Sequence, residues 1–416
     1  MDRRSTKRHS GRSHMKGIVL AAALGVVMGG MSGPASAQMS DGKIKIGVLS
    51  DLTGVYSDIN GEGSATAARL AAEEFGNAIN GTPVEIVVAD HQNKADVAAS
   101  IARKWIDAEQ VDVIADVPNS AAALAVQDIT RERKRIFLMS GPGAVDLTGK
   151  ACSPYGFMWT WDTHSVSATT ARALVAKGDK SWFFVTADYA FGHSLEDEAS
   201  KTVKALGGTV KGGVRVPLAT SDFSSFLVQA QGSGAKVVAL ANAGGDTINS
   251  VKQANEFGLP QGGQTLAGLL LNINDIHALT LPVAQGLIMS NSFYWDMNDE
   301  TRAWSRKFEA KTGRKPSMNQ AGVYSAVRHY LQAVKDVGTD DADKVAEKMR
   351  ATPVNDMMMK NAAIGRNGRV FGNMYLFEVK KPAESKGAWD YLRLVETVPG
   401  KDAYIPEAQS GCPLVR

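Results

Sequence analysis

From Lys43 to about residue 290 the chain alternates short apolar runs with amphipathic stretches, and this alternation restricts its fold more than any other feature. IKIGVLS (44–50), VEIVVAD (84–90), VDVIAD (111–116), RIFLMS (135–140), SWFFVTAD (181–188), GTVKGGVRVPL (208–218), KVVALAN (236–242) and QTLAGLLLN (264–272) read as strands. Between them, segments such as 64–80, 95–110, 120–134, 163–178, 191–207 and 245–259 place apolar residues at helical spacing, as Ala68, Ala71, Ala72, Phe75 and Ile79 do in the first. Most of these strands are apolar at successive positions, so both of their faces are buried. That is the mark of βαβ units around a parallel sheet. GPGAVDLTGKACSPYG (141–156) interrupts the pattern and reads as an irregular crossing before a second set of similar size. A third stretch holds a strand (285–293) and helices over 298–313, 319–338 and 341–352. The tail, RVFGNMYLFEVK (369–380) and AWDYLRLVET (388–397), reads as an antiparallel appendage. The expected fold is α/β, with two doubly wound lobes and a cleft between them. In such open sheets ligands bind outside the carboxyl ends of the strands.

The chain is long for one core: 416 residues, 44% of them hydrophobic, make two domains the default. Residues 1–16 are basic, 17–31 are apolar and uncharged, and Ala35-Ser36-Ala37 fits a small-x-small cleavage site. This is the pattern of a secretory signal peptide, with cleavage expected after Ala37. The apolar run is short for a membrane span of about 20 residues. The expected product is an exported protein running from Gln38, with the bacterial periplasm as its compartment. The formal charge of +3 comes from the leader: without residues 1–37 the chain has 40 basic against 42 acidic groups. A near-neutral body gives no electrostatic reason to expect a nucleic-acid partner. Cys152 and Cys412 are the only cysteines. In an oxidising compartment they favour one bridge over two buried free thiols.

Catalytic and cofactor signals are sparse. Gly61-x-Gly63 lacks the third glycine of a dinucleotide fingerprint, and no Gly-rich loop ends in Gly-Lys-Ser or Gly-Lys-Thr. There is no His-Glu-x-x-His and no Gly-x-Ser-x-Gly. His91, His164, His193, His277 and His329 are scattered. No metal or cofactor is expected. The strand ends instead carry small, polar and aromatic residues: Tyr56; Asn119 and Ser120; Ser140 and Gly141; Trp161 and Asp162; Tyr189; Asn242 and Asp246. Tyr324 joins them from the third stretch. Each alone is ordinary loop chemistry, and Ser120 reads as a helix cap. As a set they describe a small-molecule pocket.

IKIGVLSDLTGVYSDINGEGSATAARLAAEEF, VDVIADVPNSAAALAV, RIFLMSGPGAVDLTG, FFVTADYAFGHSLE, VVALANAGGDTINSVKQANEFGL and MYLFEVKKPAESKGAWDY resemble, in order and spacing, the type I periplasmic solute-binding proteins of ABC importers. The nearest group is the branched-chain amino-acid-binding (leucine/isoleucine/valine) family. The resemblance implies a flytrap of two lobes joined by three crossings, no catalysis, and delivery of a small solute to an inner-membrane ABC permease. It implies that the loops at Asn119-Ser120 and Ser140-Gly141 hold a ligand carboxylate and that Tyr189 touches the ligand. Amino-acid binders of this kind place an acid for the ammonium after the strand that is QTLAGLLLN here, where Leu269, Leu270 and Leu271 stand. Asp162, Asp188 or Asp246 is left to replace it, or else the ligand is an aromatic or aliphatic carboxylate or an amide. Residues 42–160 with 288–365 are expected to build one lobe, and 161–287 with 366–411 the other, in a monomer. The rival readings are a receptor of the same fold that feeds a signalling partner, and a periplasmic hydrolase.

Overall fold

The computed structural model describes residues 39–415. The expected leader and its cleavage site lie outside the described residues. The first sheet has six strands in the order Ala78–Ile79, Thr82–Asp90, Ile44–Ser50, Val113–Asp116, Ile136–Met139, Gly156–Met158. All neighbours are parallel except the edge pair, Ala78–Ile79 against Thr82–Asp90. The second sheet has four parallel strands in the order Thr265–Gly268, Val237–Ala241, Ser181–Ala187, Thr209–Val216.

The two-residue period of a strand divides each apolar run between two cores. Ile46, Val48, Val113, Ala115, Ile136 and Leu138 pack on one side of the first sheet with Ala68 and Ala71 of helix Gly61–Glu74 and Val327 and Leu331 of helix Met318–Val337. Leu49, Ile114, Phe137 and Met139 face the other way, against Ala98, Ala102 and Trp105 of helix Ala95–Asp107 and Val126 of helix Ser120–Glu132. The second sheet repeats the scheme. Trp182 and Phe184 meet Val166 and Leu174 of helix Thr163–Ala176, while Phe183 and Val185 meet Leu227 of helix Ser224–Gly232 and Val251 of helix Gly245–Glu256. Each sheet is thus covered on both faces, which makes both lobes doubly wound.

The chain leaves the first sheet after Gly156–Met158 and enters helix Thr163–Ala176 under the second. It returns after Ile288–Asn291 to helices Asp299–Thr312 and Met318–Val337, both of which pack on helix Gly61–Glu74. It then runs to strands Met374–Val379 and Leu392–Val398. These pair antiparallel, and Ile288–Asn291 completes a three-stranded sheet on the free side of Met374–Val379. Ile288–Asn291 opens the segment 288–365, yet its hydrogen bonds go to the segment 366–411. Cys152, in the irregular stretch before Gly156, is bonded to Cys412, with Cα atoms 5.7 Å apart.

One local reading differs from the structure, and one element went unassigned. The run QTLAGLLLN is strand only over Thr265–Gly268. At Gly268 the chain folds back so closely that a Cβ there would stand 2.6 Å from Leu271. The segment after it, given no element from the sequence, holds helix Ile273–Leu279, at whose start Asp275 accepts from the Asn272 N–H at 2.7 Å.

Candidate functional site

Between the carboxyl ends of the two parallel sheets lies a nearly closed cavity of ≈ 10 Å³, room for about one water and far below the roughly 300–1,000 Å³ common for drug-sized ligands. The first lobe contributes Tyr56, Ile59, Asn60, Pro118, Gly141 and Asn319, and the second Tyr189, Phe191, Ala243 and Leu270, with Trp161 from the crossing between them. A larger hollow of ≈ 690 Å³ opens at the opposite edge of the first sheet, where Asp112 and Arg135 precede their strands, and its lining is charged and solvent-facing.

The two sides of the cavity touch directly. The hydroxyls of Tyr56 and Tyr189 share a hydrogen bond. Burial raises both phenols well above the ordinary tyrosine range, so both remain neutral. The Gly245 N–H donates to the Val55 carbonyl (3.0 Å). Gly244 allows this approach: it takes φ +56°, and a Cβ there would lie 2.3 Å from the Val55 oxygen. Trp161 meets Phe191 edge-on, with centroids 5.9 Å apart. The loop around Tyr56 is shaped by Asp51, whose carboxylate accepts from the backbone N–H groups of Gly54 and Tyr56, both at 2.8 Å.

Among the residues expected at the site, the structure brings Tyr56, Gly141, Trp161 and Tyr189 to the cavity wall. Others are adjacent but occupied. Asn119, rather than Ser120, caps helix Ser120–Glu132, accepting from Ala121 and Ala122. Ser120 Oγ accepts from the backbone N–H groups of Gly143 and Ala144, 3.2 Å each, and so ties down the loop that carries Gly141. Asp162 caps helix Thr163–Ala176 in a capping box with Ser165 and lies 3.7 Å from the buried Arg369. Asn242 binds Thr247 and Ser250 inside its own lobe. Ser140 Oγ is buried without a partner, and a Cβ on Gly322 of helix Met318–Val337 would lie 3.2 Å from it. Asp246 accepts from the Ala219 N–H at 3.1 Å, while its second oxygen is buried and unpartnered. Burial pushes its pKa up to about 6. Tyr324 is not at the cavity: its hydroxyl is bonded to Glu74 and its ring packs on Trp304.

Ile59, Asn60 and Asn319 line the cavity without having been singled out. Asn60 ends the polar loop after the first strand, a position that strand-end reasoning reaches. Asn319 comes from a helix more than 250 residues away, and no local pattern marks it. Pro118, Phe191 and Leu270 stand at strand ends that the sequence did mark.

The periplasmic binding protein family model matches residues 43–388. The Leu/Ile/Val-binding protein homolog 6 of Brucella melitensis is 26% identical over 360 residues, covering 83% of this chain and 90% of that protein. The crystal structure of a periplasmic binding protein from Burkholderia mallei superposes with a TM-score of 0.88 at 45% identity, over 89% of this chain and 99% of that one. A branched chain amino acid ABC transporter periplasmic ligand-binding protein from Burkholderia xenovorans LB400 gives 0.80 at 39% identity, over 90% of this chain and 100% of that one. With its family match spanning both lobes and its cavity at the strand ends of each, the chain belongs to the periplasmic binding protein family.

Proposed function

We propose that this protein captures a small solute between its lobes by hinge closure and hands it to an ABC permease, without chemical turnover. The observation that carries this reading is the composition of the cavity wall: residues from the strand ends of both sheets, joined by the Tyr56–Tyr189 contact. A ligand that touches both lobes only when they are closed favours closure by its differential affinity. Moving such an equilibrium from 1:99 to 99:1 takes about 5.5 kcal/mol. The working unit is a monomer in the periplasm, released from its leader after Ala37. Its lobes follow the division 42–160 with 288–365 and 161–287 with 366–411, apart from strand Ile288–Asn291, which pairs with the second group. Among the described residues no helix is long and apolar enough to cross a membrane.

The preferred ligand is a small carboxylate or amide with a flat or branched apolar body and no ammonium group. Ile59, Pro118, Trp161, Phe191, Ala243 and Leu270 offer apolar surface, the two asparagines and two tyrosines offer hydrogen bonds, and no carboxylate lines the cavity. One observation favours an α-amino acid instead: the unpartnered oxygen of Asp246 lies buried on the helix that follows Gly244. A thermal-shift screen separates the two by pairing each amino acid with its deaminated carboxylate, alongside aromatic acids and amides. A ligand at 100 times its Kd adds about 2.7 kcal/mol of stability. Stabilisation by the carboxylates alone supports the first ligand class, and stabilisation by the amino acids supports the second. No response to any member contradicts capture of such solutes, and turnover of an ester or amide panel would support the hydrolase reading.

A further inference from the structure

A chain of buried hydrogen bonds runs from a carboxylate outside the cavity to the indole that forms its wall. Ser50 Oγ donates to Asp116 Oδ2 at 2.8 Å, and Asn60 Nδ2 donates to Asp116 Oδ1 at 2.6 Å. Asn319 Nδ2 donates to Asn60 Oδ1 at 3.0 Å, and Trp161 Nε1 donates to Asn319 Oδ1 at 2.7 Å. Every member is buried, and four elements meet in the relay. Asp116 ends a strand, Asn60 precedes helix Gly61–Glu74, Asn319 lies in the first turn of helix Met318–Val337, and Trp161 lies in the crossing between the sheets. Asp116 and the following Val117 both take positive φ, +80° and +55°. Non-glycine residues hold such backbone only where surrounding contacts over-determine it.

The two ends of the relay differ in kind. An ionised carboxylate only accepts, and an indole N–H only donates. Two amides between such ends have one orientation that leaves no donor facing a donor. With both amides so fixed, Asn60 and Asn319 each spend one N–H in the relay and keep one. We propose that Asp116 is a positioning residue for ligand capture: its carboxylate sets the direction of the relay, holds the Trp161 wall, and leaves the spare N–H groups of Asn60 and Asn319 as donors to an acceptor group of the ligand. The proposal rests on the reading of this cavity as the capture site. Asp116 itself touches no cavity surface. The groups that face it are Ser50, Ser64 and Asn60, with Asp51 as the nearby charge, and burial pushes its pKa up to about 6.

The test reads the far end of the relay in the unliganded mature protein above pH 7, where Asp116 is ionised. The indole N–H of Trp161 is assigned by its loss in Trp161→Phe, and its hydrogen exchange is followed by NMR. Asp116→Gly suits the positive φ and removes the acceptor, so Asn60 Nδ2 loses its fixed partner, the relay loses its direction, and the indole N–H is expected to shift and to exchange at least tenfold faster while circular dichroism is retained. Combining Asp116→Gly with Asn60→Asp moves the acceptor-only group one place along. The carboxylate now at 60 still accepts from Asn319, and the parent indole signature is expected to return. An unchanged indole N–H in Asp116→Gly overturns the proposal, and so does a folded double variant in which the signature stays lost. Because the measurement needs no ligand, it is independent of the capture reading. A parent protein with an intact relay that is stabilised by neither benzoate nor leucine nor any other member of the screen contradicts that reading alone.

Discussion

Ser120 and Tyr189 each carry a buried hydroxyl near the cavity, and their partners decide what a substitution does. Both partners of Ser120 are backbone N–H groups of its own lobe, so Ser120→Ala leaves Gly143 and Ala144 unsatisfied whether the hinge is open or closed. The cost is about 1–3 kcal/mol, and the unliganded melting temperature is expected to fall by a few degrees. Tyr189 is bonded across the cleft, to Tyr56. In Tyr189→Phe the Tyr56 hydroxyl regains water simply by opening the hinge. The melting temperature is therefore expected to change little, the radius of gyration in small-angle scattering to grow, and ligand affinity to weaken roughly five- to 150-fold. If both variants melt as the parent does and bind the ligand identified by the screen equally well, the assignment of both hydroxyls is wrong.

At the scale of elements, what the sequence displayed depended on whether the signal was local. The strands of both parallel sheets were legible because apolar side chains must fill both faces, and runs such as SWFFVTAD and KVVALAN do so without a gap. The end of strand Thr265–Gly268 was not legible, because it is set by the contact of Gly268 with Leu271 rather than by loss of hydrophobicity. Helix Ile273–Leu279 spans only two turns, too few for its period to show, although its cap pair Asn272 and Asp275 was in plain view. The site divided in the same way. Tyr56, Trp161 and Tyr189 follow strands and were found, whereas Asn319 reaches the cavity only through the packing of helix Met318–Val337 on helix Gly61–Glu74. The disulfide is a covalent long-range tie, closing 260 residues and anchoring the tail to the irregular stretch beside the first sheet. Thiol titration of denatured, unreduced protein is expected to find no free thiol. Replacing both cysteines with serine is expected to cost about 2–5 kcal/mol, read as a lower denaturation midpoint together with a larger m-value, because the unfolded chain then expands. A titration that finds two thiols, or equal midpoints, contradicts that role.

Over the whole molecule, the buried carboxylates give stability an unusual pH dependence. Burial raises the pKa of Asp112 and Asp275 to about 7, and of Asp116 and Asp246 to about 6, from an ordinary 3.8. Each folded-state pKa lies above its unfolded value, so between pH 4 and 7 the folded protein holds protons that the unfolded chain has released. Stability from these four groups is complete near pH 4 and is lost as pH rises through 6 and 7. His91, His277 and His329 act in the opposite sense. Burial lowers all three, so the unfolded chain takes up protons below about 6.5 that the folded protein refuses. Glu198, held down by its hydrogen bonds to His164 and Lys201, adds a loss on further acidification through the ordinary carboxylate range. Four aspartates outweigh three histidines between pH 8 and 6, because Asp112 and Asp275 start to take up protons about half a unit above the ordinary 6.5 of the unfolded chain's histidines, and Asp116 and Asp246 add to them. The melting temperature is therefore expected to be higher at pH 6 than at pH 8 and to fall again below about pH 4.5. Asp275→Asn cannot titrate but keeps an oxygen for the Asn272 N–H, so it should remove part of the rise without removing the cap. Melting curves of the parent and of this variant at pH 8, 6 and 4 decide the matter. A parent that melts lower at pH 6 than at pH 8, or a variant whose rise equals the parent's, would show that these carboxylates are ionised in the folded protein throughout.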